Sequence, residues 1–382
     1  MTDAREQVAQ LLTTALLRDL GDEVDLVFRY GSTVRGGGTR THRFSDVDIS
    51  YVPVHEDTSR ALTVMVATTM CDLYPIRWSK LERMAELDDP SASILLDAVV
   101  VHHRTDAAAE RFARLGARLR ENLAPPARAR MLTRAHEIFM RTGYPYYLLR
   151  SAEQRDHRFA ALFHARQVVG GVLQAVAVAN QRCVDTRRLS DVLELDRLPE
   201  RFSSLLDAAI RASAPAEALG ACEALMASSR EFLLAEQREV HRGEASFADA
   251  LDAAYPELMG DLQHAVIAAE AEDQWRLTVV PMLHELMVAV AEARTGVAHS
   301  SFNSPPEYEQ DLEALGFPDL LSLAAAHDFE GIRRVAPVFA DRLRSYLVEN
   351  GAALNAFDSV DELRAFLGLP EDGSGTEAPG RD

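Results

Sequence analysis

The sequence predicts an α+β protein: a small mixed, twisted sheet at the N-terminus followed by an all-α helical-bundle region. Three observations carry that prediction. VDLVFRYG, residues 24–31, alternates in polarity and stops at a glycine, as a buried strand does. DVDISYV, residues 46–52, alternates again, placing Asp46, Asp48 and Ser50 on one strand face and Val47, Ile49 and Tyr51 on the other. From Asp106 onward the apolar spacing is helical and stays so, with Pro125–Pro126 as its strongest interruption.

Taken in order, residues 3–20 carry apolar side chains at helical spacing (Val8, Leu11, Leu12, Ala15, Leu16), so a helix precedes the first strand. After the second strand the pattern predicts a helix over roughly 57–73, a brief strand in YPIRWS and an apolar strand in LLDAVVVHH near 95–103. The helical region reads as segments near 127–141, 156–182, 203–212, 216–241, 246–269, 274–295, 307–326 and 330–350. A chain of 382 residues exceeds what one core usually serves. We expect a domain at 1–122, a helical bundle at 123–245, a second bundle or continuation at 246–365, and a disordered polar tail at 366–382. VVGGVLQAVAVAN and VVPMLHELMVAVAEA, each followed by an irregular stretch and a shorter helix, are a faint internal echo.

The net charge of −19 argues against broad nucleic-acid binding. Residues 1–122 carry 15 basic and 19 acidic side chains, which leaves −15 for the remainder. Yet residues 29–45 contain Arg29, Arg35, Arg40 and Arg43 and no acid, the mark of a small anionic ligand held at one place. Cys71, Cys183 and Cys222 are too few and scattered for a disulfide framework, and core thiols are expected. MTDAREQVAQLL has neither the basic start nor the apolar run of a signal peptide, and no later run reaches spanning length; the expectation is a cytoplasmic protein with no membrane partner.

The chemistry concentrates in YGSTVRGGGTRTHRFSDVDISYV, residues 30–52. A P-loop requires Gly-Lys-Ser/Thr after its spacer, but Gly36 is followed by Gly37 and Gly38, and the dinucleotide fingerprint fails where Thr41 stands in place of a third glycine. What remains is a strand, a Gly-Ser turn, an arginine-bearing loop and a strand opening Asp-x-Asp. Glycine at 31 lets backbone approach a phosphate, and the amides and hydroxyl around Ser32 donate to it. Asp46 and Asp48, on one face, offer the hard oxygens that magnesium takes alongside water and substrate phosphates. Those parts make a metal–nucleotide site.

This stretch resembles the nucleotidyltransferase superfamily with the DNA polymerase beta-like fold, and in its N-terminal unit and helical C-terminal part the aminoglycoside nucleotidyltransferase branch. Gly31-Ser32, the basic Arg35-Gly36 of the spacer and Asp46-Val47-Asp48-Ile49 carry the resemblance, which covers about residues 24–104. It implies Mg²⁺ on Asp46 and Asp48 as metal-binding and catalytic residues, with Gly31, Ser32, Arg35 and Arg43 holding the triphosphate. The implied reaction is metal-dependent transfer of a nucleoside monophosphate, AMP from MgATP, to a hydroxyl of a small molecule such as an aminoglycoside-like antibiotic. The acidity of the helical part suits a cationic acceptor. Protein nucleotidylation and nucleotide binding without catalysis are the alternatives.

The superfamily carries a third carboxylate on a neighbouring strand, and YPIRWS has none. Asp72 and Glu82 flank it and Asp97 begins the next strand, and Glu137, Glu153 and Asp156 are candidates for a base delivered from the helical part. His102–His103 face opposite ways on a strand and do not read as a metal pair. Tyr144, Tyr146 and Tyr147 read first as packing of the first helices, with the lining of a substrate pocket at the domain junction as the alternative, and Asn180 reads as a helix terminator.

Overall fold

The structure, a computed structural model, describes residues 2–31, 34, 46–55, 57, 60–184, 189–240, 248, 251, 254–273, 279–295, 312 and 314–369. It divides into two compact units, 1–240 and 241–382. Ser32, Arg35 and Arg43 lie outside the described residues, as does the tail beyond residue 369.

In the first unit, helix α1 (Thr2–Leu20) leads through a short 3₁₀ turn into β1 (Val24–Tyr30). Strands β2 (Val47–Pro53), β3 (Leu62–Val66), β4 (Thr69–Pro75) and β5 (Val99–His103) complete a mixed five-stranded sheet of order β3-β4-β2-β1-β5. β1 is antiparallel to both of its neighbours, and β2 and β4 are parallel. Alternation sorts the two faces. Val47, Ile49, Tyr51, Cys71 and Leu73 pack with Ala9 and Leu16 of α1. Leu26, Phe28 and Val52 face the other way, into a core continuous with Leu81, Met131, Val168, Phe202 and Leu225. Sheet and first helices therefore share buried apolar surface, and Pro125–Ala127 forms a 3₁₀ turn inside this unit.

The helix expected over 57–73 is replaced by the β3–β4 hairpin. Leu62–Val66 is rich in β-branched residues, and Ala67 turns the chain at φ +55°, a left-handed conformation that no glycine or asparagine advertises. The strand expected in YPIRWS is displaced as well: β4 ends at Pro75, and Trp78 opens α2 (Trp78–Ala85). LLDAVVVHH divides into a helical turn, α3 (Ser93–Asp97), and β5, so Asp97 closes a helix instead of starting a strand.

Around the sheet follow α4 (Asp106–Asn122), α5 (Arg128–Met140), α6 (Gly143–Gln154), α7 (Arg158–Ala179), α8 (Leu189–Leu193), α9 (Phe202–Arg211) and α10 (Pro215–Val240). By length and composition α7 is apolar enough to cross a membrane, and more than half of it is buried among its neighbours. Asn180 terminates α7 as expected. Its amide nitrogen donates to the carbonyls of Val176 and Arg197, both at 2.8 Å, and its oxygen accepts from the Arg197 N–H at 3.0 Å.

The second unit contains α11 (Ala254–Glu270), α12 (Val279–Thr295), α13 (Leu320–Ala325), α14 (Phe329–Glu349) and α15 (Val360–Phe366). Leu258, Leu262, Met282, Leu286, Phe339, Leu343 and Leu347 form its own core.

Candidate functional site: a carboxylate face on the first sheet

The site is built by strand register. Asp48 in β2 lies directly opposite Asp72 in β4, and Ser50 lies opposite Tyr74. On the other side Asp48 is opposite Tyr30 of β1, and Asp72 is opposite Thr63 of β3. Partners in register point the same way, so Tyr30, Asp48, Ser50, Asp72, Tyr74 and Thr63 share one sheet face. Adjacent strands lie about 4.8 Å apart. Two carboxylates thus stand side by side with no apolar residue between them. Asp46 sits one residue ahead of β2, half-buried.

Oδ1 of Asp72 is buried and has no hydrogen-bond partner among the described residues. A buried acceptor left unsatisfied costs about 1–3 kcal/mol. Burial, with the negative charges of Asp48 and Asp72 adding to it, pushes the Tyr30 phenol above its ordinary pKa, while a hydrogen bond from Ser50 Oγ at 3.4 Å pulls the other way. The Cys71 thiol, on the opposite face, is raised by burial first and then by Asp72 and Asp46. Tyr74 and Thr63 share a hydroxyl hydrogen bond of 2.7 Å at the edge of the face.

Gly31 closes β1 against this face. Its φ is +84°, and its carbonyl accepts from the Val34 N–H at 3.1 Å, a tight turn. A Cβ on residue 31 would overlap the carboxylate oxygen Oδ2 of Asp48. Glycine is required twice here, once by conformation and once by the approach of Asp48.

The other expected participants are placed elsewhere. Arg29 turns to the opposite side and pairs with both carboxylate oxygens of Glu6 in α1, at 2.6 and 2.8 Å, which removes it from the cationic set. Among the third-acid candidates, Glu82 pairs with Arg111 at 2.6 Å and Glu137 with Arg134 at 2.5 Å. Glu153 lies in the last turn of α6, and Asp156 is exposed in the turn beyond it at φ +53°. Only Asp72, of these six, is brought beside Asp48 by sheet register. Ser50 is on the face that alternation assigned to it, whereas Tyr30, Thr63 and Tyr74 belong to the face but were not singled out from sequence. The alternation Met70, Asp72, Tyr74 against Cys71, Leu73 is the signal that could have found β4.

Among the described residues, no three His, Cys, Asp or Glu side chains are gathered as a closed metal-ligand set. A facing pair is nonetheless what magnesium commonly draws from protein, with water and phosphate oxygens supplying the rest. The unpartnered Asp72 oxygen and the Asp48 carboxylate fit such an ion.

No protein-family model matches the chain, and no curated protein matches it. Among solved structures it is similar to a nucleotidyltransferase-like protein from Exiguobacterium sibiricum, at 13% identity and a TM-score of 0.34, over 60% of this chain and 78% of that one. A likeness of that degree carries no functional weight of its own.

Proposed function

We propose that this chain is a metal-dependent nucleotidyltransferase that passes AMP from MgATP to a hydroxyl of a small, cationic acceptor. The observation that carries the reading is the in-register pair Asp48 and Asp72, with a buried Asp72 oxygen that has no partner among the described residues. Asp48 and Asp72 are the carboxylates that would hold the ion, with Asp46, one residue ahead of β2, the sequence's further candidate. Bound there, magnesium would neutralise charge on the triphosphate oxygens. Gly31 lets the Asp48 carboxylate approach the end of β1 closely, and Ser32, Arg35 and Arg43 are the sequence's candidates for holding the triphosphate. The acceptor oxygen attacks the α-phosphorus, pyrophosphate leaves, and the hydroxyl proton passes to the Asp72 carboxylate. Positioning and charge supply most of the rate in such a transfer. The net −15 beyond residue 122 supports a cationic acceptor.

Incubation of the protein with labelled ATP, magnesium and a panel of aminoglycosides tests the proposal. Label on a small molecule supports it; label on protein points to protein nucleotidylation, and tight ATP binding without turnover to a non-catalytic nucleotide binder. Either of the last two results overturns the small-molecule reading.

A further inference from the structure

A second feature of the first unit is unconnected with the carboxylates. A cavity of about 500 Å³ opens between α7, the start of α8 and the end of α9. That volume falls in the range of about 300–1,000 Å³ typical of small-molecule pockets. Leu162, Val169, Leu173 and Ile210 supply apolar walls, and the remaining lining is mostly alanine and leucine. Among the described residues, Arg166 is the one charged side chain in its lining and no acid lines it, on a chain of net charge −19. Arg166 is exposed, and among the described residues no ion pair or hydrogen bond engages it. Gly170 also lines the cavity, one turn further along α7, and a Cβ there would meet nothing within 4 Å. The apolar surface continues outward along the same helix face. Phe159 and Phe163, 83% and 50% exposed, stack with ring centroids 6.3 Å apart at positions i and i+4, and Arg166 and Gly170 follow at i+7 and i+11.

We propose that this cavity binds a fatty carboxylate, its chain against the apolar walls and its head group on the Arg166 guanidinium. The charge argument selects the ligand. An apolar cavity alone takes any hydrocarbon, but the Arg166 guanidinium at its rim, unpaired among the described residues, adds a charge-assisted, bidentate site for a carboxylate. The cavity is independent of the nucleotidyl-transfer reading and stands if that reading fails.

Titration calorimetry with dodecanoate, below micelle-forming concentrations, tests it on the full chain. Saturable one-to-one binding is expected, tightening about fourfold per methylene between octanoate and dodecanoate. Dodecanol should bind at least tenfold more weakly than dodecanoate. Arg166→Gln, an exposed change, should abolish that difference while leaving dodecanol affinity unchanged. Gly170→Leu, which fills the open space, should weaken both ligands more than tenfold. No saturable binding to the wild type, or equal affinity for acid and alcohol, overturns the proposal. So does dodecanoate binding that both variants leave intact. Because Arg166→Gln alters only a rim side chain, the proposal remains decidable even if Gly170→Leu fails to fold.

Discussion

Replacing Gly31 with alanine should separate backbone strain from damage to the carboxylate face, because the chain contains its own control. Gly21 and Gly31 both adopt positive φ, +46° and +84°. A left-handed conformation costs an L-residue roughly 1–2 kcal/mol, so each Gly→Ala variant should lose about that much stability. The two sites differ in what surrounds them. A Cβ at Gly21 meets nothing within 4 Å, whereas at Gly31 it overlaps Asp48 Oδ2. Gly21→Ala should therefore pay the backbone term only. Gly31→Ala must also displace the Asp48 side chain, and a misplacement near 1 Å at a reacting centre costs about a hundredfold in rate. Urea denaturation measures the first quantity, and magnesium-dependent ATP turnover or binding measures the second. The expected outcome is comparable stability loss in both variants, with metal-dependent behaviour lost only in Gly31→Ala. If Gly31→Ala keeps wild-type magnesium dependence, the close approach of Gly31 to Asp48 has no functional meaning and the reasoning fails.

Further outcomes follow from other contacts. Asn180→Ala deletes three hydrogen bonds, two that tie the end of α7 to Arg197 and one to the Val176 carbonyl within α7, and at about 0.5–1.5 kcal/mol each, reduced by partial exposure, it should cost about 1–3 kcal/mol in urea denaturation. Glu285 of α12, largely exposed, has a pKa raised above the ordinary carboxylate value by partial desolvation first and then by Asp261 and Glu257, against the lowering effect of His284. A carboxyl whose folded pKa is raised contributes stability below its unfolded pKa and loses it as pH climbs through the folded value. Glu285→Gln should therefore be more stable than wild type at pH 7, with the advantage vanishing at pH 4. Burial pushes the Cys222 thiol up to about 11, so native-state alkylation at pH 8 should label the half-buried Cys183 and spare Cys222 until the chain is unfolded.

The parts of the fold legible in sequence were those whose causes are local. β1 and β2 were visible because alternation and a terminal glycine are properties of seven or eight consecutive residues, and Asp48 and Ser50 lie on the face that alternation assigned to them. Asn180 was legible for the same reason. The β3–β4 hairpin was not, because Ala67 and Thr68 make its turn where Gly, Asn or Asp would have signalled one. Reading that hairpin as a helix moved the expected strand to YPIRWS and left Asp72 at its flank. The pairing of Asp48 with Asp72 is a parallel register set across the intervening hairpin, and nothing local encodes it. α15, in contrast, was announced and passed over. Ser359 accepts from the Glu362 N–H at 3.2 Å while Glu362 accepts from the Asp358 N–H at 2.9 Å, a Ser-x-x-Glu start written plainly in the sequence.

The most direct measurement is manganese binding, followed by electron paramagnetic resonance in the presence of a non-hydrolysable ATP analogue, in the wild type and in Asp48→Asn and Asp72→Asn. The account predicts tight manganese binding in the wild type that each substitution weakens at least tenfold, with the fold intact by circular dichroism. Equal manganese affinity in all three proteins would contradict it, because the facing carboxylates of β2 and β4 would then hold no ion.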